Sequence, residues 1–360
     1  MCANILNIPK IIVAGPCAAE SREQVLNTAR EISQLRITKC HCGLDPQSQT
    51  NYELLFFRIG IWKARTNPYD FQGVGEEAFA WLKEVKKEFG FQICVEVASA
   101  EHVRLCLENN IDAVWIGART TVNPFLVQEI ADALANSSLT ILVKNPINPD
   151  LNLWLGAIKR FQNVGTRNII AVHRGFSIEN ENVYRNAPCW EIPMALRLKQ
   201  PDIPIICDIS HIAGNVELQQ TIAQTAINYG FEGLMMEVHH APKHALSDSR
   251  QQLSPSQFTQ LLKNITFTTF ESEADDALFI QRNLIKNIDI QLSKLLSKRM
   301  EVVDEIAIIK TQHSLPVLQP DQWKKVVEIY EENALQDKNY QHFLEEFLLL
   351  LHKSSMKRQE

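Results

Sequence analysis

The sequence predicts an α/β fold, a (β/α)8 TIM barrel, followed by a C-terminal all-α helical domain. Three observations carry this expectation. Eight short apolar runs alternate with segments of helical periodicity through residues 1–265, and strands alternating with helices imply a parallel sheet. Eight such units in that length is the count of a (β/α)8 barrel. All 13 glycines lie between Gly15 and Gly233, so the 127 residues from Leu234 to Glu360 contain none. Glycine serves tight turns and close backbone approach, so a tail without it reads as long helices.

The elements follow in order. Strands are expected at 11–14, 54–58, 92–97, 113–117, 140–144, 168–173, 203–208 and 233–238, with helical spacing clearest at 76–89, 100–109, 124–135 and 216–229. A doubly wound sheet would need a glycine-rich phosphate loop after the first strand, and Ala14-Gly-Pro-Cys-Ala-Ala-Glu20 is not GxGxxG. One connection is anomalous: residues 36–53 join a helix to strand two where about 2–6 residues are usual. Its Cys40-His-Cys42 has no second cysteine pair downstream, so it reads as a surface insertion rather than a zinc site. The barrel is placed at 1–265, a polar acidic linker at 266–276 and the helical domain at 277–360. In the tail, apolar residues recur with helical spacing from Leu284 to Ile309, and the only later prolines are Pro316 and Pro320.

Composition narrows the function class. Lys plus Arg is 36 and Asp plus Glu is 42, a net charge of −6, so no basic surface stands out for nucleic acid or an anionic membrane. With 45% hydrophobic and 22% charged residues the chain is ordinary globular protein. No apolar run approaches the roughly 18 residues of a membrane span, and no signal peptide is visible. Several of the eight cysteines sit in apolar strand-like runs, as free thiols of a reducing cytoplasm do.

A barrel carries its active site at the C-terminal ends of its strands. There the sequence offers Cys17 after strand one; Arg58, Lys63, Arg65 and Thr66 after strand two; and Glu96 after strand three. Arg119, Lys144 and His173-Arg174 follow strands four to six, Asp208 and His211 strand seven, and Glu237, His239 and Asp248 strand eight. Taken singly, an arginine or lysine is a solvated loop charge, Cys17 a small buried hydrophobe, His211 a helix cap and Asp248 a turn residue. Taken together, Arg58, Lys63, Arg65, Arg119, Lys144 and Arg174 are six cations on one mouth, which calls for phosphate and carboxylate groups. Cys17, His211, Glu237 and Asp248 offer one sulfur, one nitrogen and two carboxylates, a set suited to a borderline divalent transition metal.

These segments carry a resemblance. Ala14-Gly-Pro-Cys-Ala-Ala-Glu-Ser21, Lys63-Ala-Arg-Thr66, Ile116-Gly-Ala-Arg119, Asp208-Ile-Ser-His-Ile-Ala-Gly214, Gly233-Leu-Met-Met-Glu-Val-His239 and Ala245-Leu-Ser-Asp248 resemble 3-deoxy-D-arabino-heptulosonate 7-phosphate (DAHP) synthase of the compact class with a fused chorismate mutase. The resemblance implies condensation of phosphoenolpyruvate with erythrose 4-phosphate at a divalent metal of the Mn, Fe, Co or Zn class, the first step of the shikimate pathway. It makes Cys17, His211, Glu237 and Asp248 the metal ligands. Arg119, Lys144 and Arg174 become the phosphoenolpyruvate phosphate site, Arg58 and Lys63 its carboxylate side, and Arg65 and Thr66 the grip on erythrose 4-phosphate. Two features depart from the family: Ala64 stands where proline is usual, and the 36–53 insertion is foreign to it. Related synthases condense phosphoenolpyruvate with arabinose phosphate or a sugar amine; Lys63-Ala-Arg-Thr66 and Cys17 argue for the erythrose phosphate acceptor.

In the tail, Arg299 and Lys310 are 11 residues apart and within about 20° of one helix face, while Arg282 lies about 100° around the same helix. If all three serve anionic ligands, Arg282 serves a different pocket, as in an intertwined dimer with shared sites. Ser355 and Gln359 share one face of the last helix. The set Arg282, Arg299, Lys310, Ser355 and Gln359 resembles the all-helical chorismate mutase, which implies a chorismate site and a homodimer through the helical domain. Gln322 falls where that family usually has arginine. Two readings of the tail follow: a mutase that turns chorismate into prephenate, or a regulatory and dimerisation module that binds either compound without turnover.

Overall fold

The computed structural model describes residues 11–34, 54–179, 181, 183–266, 273–317, 319–332 and 338–359. The 36–53 insertion and most of the expected linker lie outside them. Eight strands close into one parallel barrel in sequence order: β1 (Ile11–Gly15), β2 (Leu54–Ile59), β3 (Gln92–Val97), β4 (Ala113–Ile116), β5 (Thr140–Lys144), β6 (Ile169–His173), β7 (Ile205–Asp208) and β8 (Gly233–Glu237). The outer helices are α1 (Arg22–Gln34), α2 (Ala78–Phe89), α3 (Ala100–Glu108), α4 (Ala118–Thr121), α5 (Pro124–Ala133) and α6 (Leu151–Asn163). They continue with α7 (Glu191–Lys199), α8 (Ile209–Ala213), α9 (Gln219–Asn228) and α10 (Pro255–Asn264). Among the described residues of the tail are three helices, α11 (Glu273–Gln312), α12 (Pro320–Glu332) and α13 (Lys338–Gln359).

Strands buried on both faces need apolar residues at every position, which is why they read as continuous runs. Alternate residues divide between two cores. Val13, Phe56, Cys94, Trp115, Leu142, Val172, Ile206 and Met235 fill the barrel interior. Ile12, Ala14, Phe57, Ile93, Val95, Ile141, Val143 and Leu234 pack outward against the helices. Local chemistry starts the helices: Asn123 and Asp150 accept from the first free amides of α5 and α6, and Ser254 with Gln257 forms a capping box on α10. Gly15 has φ +151°, and a Cβ there would lie 2.3 Å from the Arg58 carbonyl oxygen, so only glycine lets β1 run this close to β2.

The chain divides into two compact units, Met1–Leu284 and Ile285–Glu360. Within the second, Val303, Leu348, Leu351 and Ser355 are buried, and Trp323 stacks on His352 with centroids 4.0 Å apart. Among the described residues no helix is long and apolar enough to cross a membrane.

Candidate active site

Four groups expected as metal ligands converge beneath the mouth of the barrel. The sulfur of Cys17 and carboxylate oxygens of Glu237 and Asp248 lie within 4.8 Å of one another. His211 stands beside them, its Nε2 3.8 Å from Glu237 Oε1. Asp208 positions that imidazole. As N-cap of α8 it accepts from the His211 amide, and Asp208 Oδ1 also lies 2.9 Å from His211 Nδ1. With Nδ1 held by a carboxylate, Nε2 is left as a lone-pair donor toward the cluster, the arrangement that orients metal-binding histidines. Cys17 is fully buried, donates its S–H to Asp248 Oδ2 at 3.3 Å and accepts from Lys63 Nζ at 3.1 Å. Burial, with the Glu237 carboxylate close by, pushes its thiol up to about 12. A cation is what would draw out the thiolate here. One sulfur, one imidazole nitrogen and two carboxylates fit a borderline divalent metal.

Above this cluster opens a cleft of about 760 Å³, lined by all six expected cations together with Thr66. Arg58 is 1% exposed and donates from Nη2 to Glu237 Oε1 at 3.0 Å; its Nε and Nη1 have no hydrogen-bond partner among the described residues. Its guanidinium carbon sits 5.0 Å from the centroid of the Trp115 ring in the barrel interior. Lys144 donates to Asp208 Oδ2 at 2.7 Å. Burial would raise the Asp208 carboxyl, but His211 and Lys144 hold it well below the usual carboxylate range. Arg174 donates to Asn186 Oδ1 at 2.7 Å, and burial beside Arg185 and Arg119 lowers its guanidinium to about 10. Such depression in a crowd of like charges marks a space suited to anions.

Arg119 donates to the Ala64 carbonyl at 2.6 Å and to Thr66 Oγ1 at 3.2 Å, so it braces the loop that carries Arg65. Arg65 itself donates to the Phe71 carbonyl. Arg185, Gln251, Gln252 and Asn186, absent from the sequence-derived set, also belong to the neighbourhood. Gln252 accepts from the Cys17 amide at 3.0 Å, and Arg185 donates to Asp248 Oδ1 at 3.0 Å. Glu96 and Asp208 were legible as charges at strand ends, but not as part of the site.

The helical unit brings four expected residues together. Arg299 Nη1 donates to Ser355 Oγ at 2.8 Å, and Lys310 Nζ donates to Gln359 Oε1 at 2.8 Å and the Val317 carbonyl at 2.6 Å. Two cations of α11 thus meet two polar residues of α13. Gln322 is exposed in the first turn of α12, and Arg282 is exposed on α11.

A closed parallel barrel with a cation-lined cleft at its mouth is an arrangement suited to anionic ligands. The chain belongs to the DAHP synthetase I family, whose model matches residues 7–271. The model for chorismate mutase type II matches residues 281–360, so a DAHP synthase domain and a chorismate mutase domain share one chain, consistent with a bifunctional shikimate-pathway enzyme. Phospho-2-dehydro-3-deoxyheptonate aldolase of Thermotoga maritima is 28% identical over 254 residues, covering 71% of this chain and 68% of that protein. 2-dehydro-3-deoxyphosphooctonate aldolase of Geotalea daltonii is 26% identical over 271 residues, covering 71% of this chain and 91% of that one. The crystal structure of the Thermotoga maritima DAHP synthase aligns with a TM-score of 0.60 at 28% identity, covering 75% of this chain and 71% of that chain.

Proposed function

We propose that the barrel joins C3 of phosphoenolpyruvate to the aldehyde carbon of erythrose 4-phosphate, after which water adds at C2 and phosphate leaves. The observation that carries this is a cleft lined by six cations in which the buried Arg58 keeps Nε and Nη1 without a hydrogen bond, Nη1 lying 3.9 Å from Asp208 Oδ2. Leaving such donors unsatisfied costs about 1–3 kcal/mol each, a cost that an anionic substrate removes. Arg58 and Lys63 take the carboxylate of phosphoenolpyruvate, Arg119, Lys144 and Arg174 its phosphate, and Arg65 with Thr66 the phosphate of the sugar. Cys17, His211, Glu237 and Asp248 hold a divalent metal of the Mn, Fe, Co or Zn class. When bound, that metal supplies Lewis-acid polarisation of the aldehyde oxygen. Burial disfavours the charged form of Lys63, yet the hydrogen bond to the Cys17 sulfur and the nearby Glu96 and Glu237 carboxylates outweigh it and raise its affinity for its proton.

The helical unit rearranges chorismate to prephenate. That reaction is internal to one molecule and needs only a binding site that favours the compact conformer and stabilises charge on the ether oxygen. Arg299 with Arg282 of the partner subunit grips the two carboxylates; Lys310 and Gln359 serve the ether oxygen, with Ser355 orienting Arg299. Exposed Ile288, Leu292, Leu295, Val302, Ile306 and Ile309 on α11 give a homodimer its apolar seam. The chain works in the cytoplasm, where Cys17 stays reduced. An exposed Gln322 in place of a cation favours the second reading, a tail that binds chorismate or prephenate and regulates without turnover.

The test is phosphate release from phosphoenolpyruvate by the full chain, with erythrose 4-phosphate or arabinose 5-phosphate, before and after chelation. Release is expected only with erythrose 4-phosphate, lost on chelation and absent in Cys17→Ala. Undiminished release by metal-free protein would overturn the metal reading, and preference for the pentose phosphate the acceptor. Loss of chorismate, followed in the same preparation, distinguishes turnover from binding alone.

A further inference from the structure

Neither Gln251 nor Arg185 is among the candidate ligands, yet both touch them. Gln251 is 1% exposed and carries no charge. Its side-chain amide donates from Nε2 to Glu237 Oε2 at 2.7 Å and accepts at Oε1 from Arg185 Nη1. Only one orientation of the amide satisfies both contacts, because the flipped group would set oxygen against carboxylate and NH2 against guanidinium. The same Arg185 nitrogen donates to Asp248 Oδ1 at 3.0 Å. A two-residue relay therefore joins two carboxylates, one on β8 and one in the loop that follows it.

The relay is anchored in a closed ring. The Glu237 amide donates to Ser210 Oγ at 2.9 Å, and Ser210 Oγ reaches Gln219 Oε1 at 3.4 Å. Gln219 Nε2 then donates to the Gln251 carbonyl at 2.6 Å, and the Gln251 side chain returns to Glu237. Ser210, Gln219 and Glu237 are fully buried. Satisfied buried networks of this kind fix a geometry closely, because a partial break leaves costly orphans. At the far end of the relay, Asp248 has φ +49°, a conformation that a non-glycine residue keeps only where its surroundings impose it. Arg185 lies at the boundary of the main cleft and a second cleft of about 490 Å³, with its side chain 45% exposed.

We propose that Gln251 and Arg185 are positioning residues of the metal centre, setting the separation of the Glu237 and Asp248 carboxylates; this rests on the metal reading above. Outer partners of ligating carboxylates are typically worth 10–100-fold in metal affinity. The experiment strips the full chain with chelator and titrates it with cobalt(II), reading the dissociation constant and the thiolate-to-cobalt absorption band. In the parent chain the band is expected, and it should vanish in Cys17→Ser. Gln251→Leu and Arg185→Ala should keep the band but bind cobalt(II) about 10–100-fold more weakly, with Arg185→Lys recovering part of the loss. The half-exposed Arg185 site tolerates substitution without touching a core, so it decides the matter even where Gln251→Leu fails to fold. Parent-like cobalt affinity in folded Arg185→Ala, with the band intact in the parent, overturns this inference alone. A parent chain with no Cys17-dependent band overturns the metal reading and this inference with it.

Discussion

His173 is fully buried at the end of β6 among Phe176, Trp190 and Phe231, next to Arg174. Burial, reinforced by the Arg174 charge, lowers its ring to about 3 from an ordinary 6.5. The unfolded chain protonates this histidine as pH falls through about 6.5, whereas the folded chain does not until about 3, so the unfolded state binds more protons across that window. Stability therefore falls as pH falls, by roughly 1.4 kcal/mol per pH unit from this group alone. His173→Phe should flatten the dependence of the urea midpoint on pH between about 6 and 4; an unchanged slope would show that the ring takes up its proton in the folded state. Charges at the ends of apolar runs were readable in the sequence because an ionisable residue leaving a buried strand needs a purpose. Gln251 and Gln252 carried no such signal: they are neutral amides whose importance comes only from what folding sets beside them. Asp208 was visible as a strand-end charge, but its role depends on Lys144, 64 positions earlier in the chain.

At the scale of elements, the loop between β2 and α2 carries Lys63, Arg65 and Thr66, yet it has alanine at 64, where the resemblance expects proline. Side-chain contacts hold it instead. Trp62 stacks on His102 of α3, with centroids 3.7 Å apart and planes 4° from parallel, and meets Phe79 edge-on. Arg119 braces the Ala64 carbonyl from α4. Lys63 is anchored separately by the Cys17 sulfur and carbonyl. Losing the ring stack should therefore loosen Arg65 and Thr66 more than Lys63. An aromatic pair is worth about 0.5–1.5 kcal/mol, so Trp62→Leu should raise the KM for erythrose 4-phosphate about 2- to 12-fold with little change for phosphoenolpyruvate. Equal rises for both substrates would mean that the whole mouth had moved. The eight strands were legible because burial on two faces leaves an unbroken apolar run. The short α4 and α8 were not, since four and five residues are too few to display a helical period.

Across the whole molecule the two chemistries make unlike demands. The barrel gathers charged groups from seven of its eight strand ends into one cleft within one chain. If the helical site uses Arg282 as proposed, the Arg299 face of the same chain does not supply it, because Arg282 lies about 100° around the same helix. Sharing between two copies would resolve this, and a two-fold dimer would then contain two equivalent sites, each using Arg282 of one subunit with Arg299 and Lys310 of the other. This arrangement has a consequence that a site complete within one chain lacks. Arg282→Ala and Lys310→Ala should each nearly abolish conversion of chorismate, while a mixed dimer of the two holds one site with both defects and one with neither. If subunits exchange at random in an equal mixture, half the dimers are mixed, and mutase activity should return to about a quarter of the parent value. Phosphoenolpyruvate condensation in the same samples should stay at the parent level throughout, which separates this effect from general loss of folded protein. A mixture that remains as inactive as its components after verified subunit exchange would place Arg282 and Lys310 in the same site of one chain, and an Arg282→Ala variant with parent activity would leave Arg282 without a part in it.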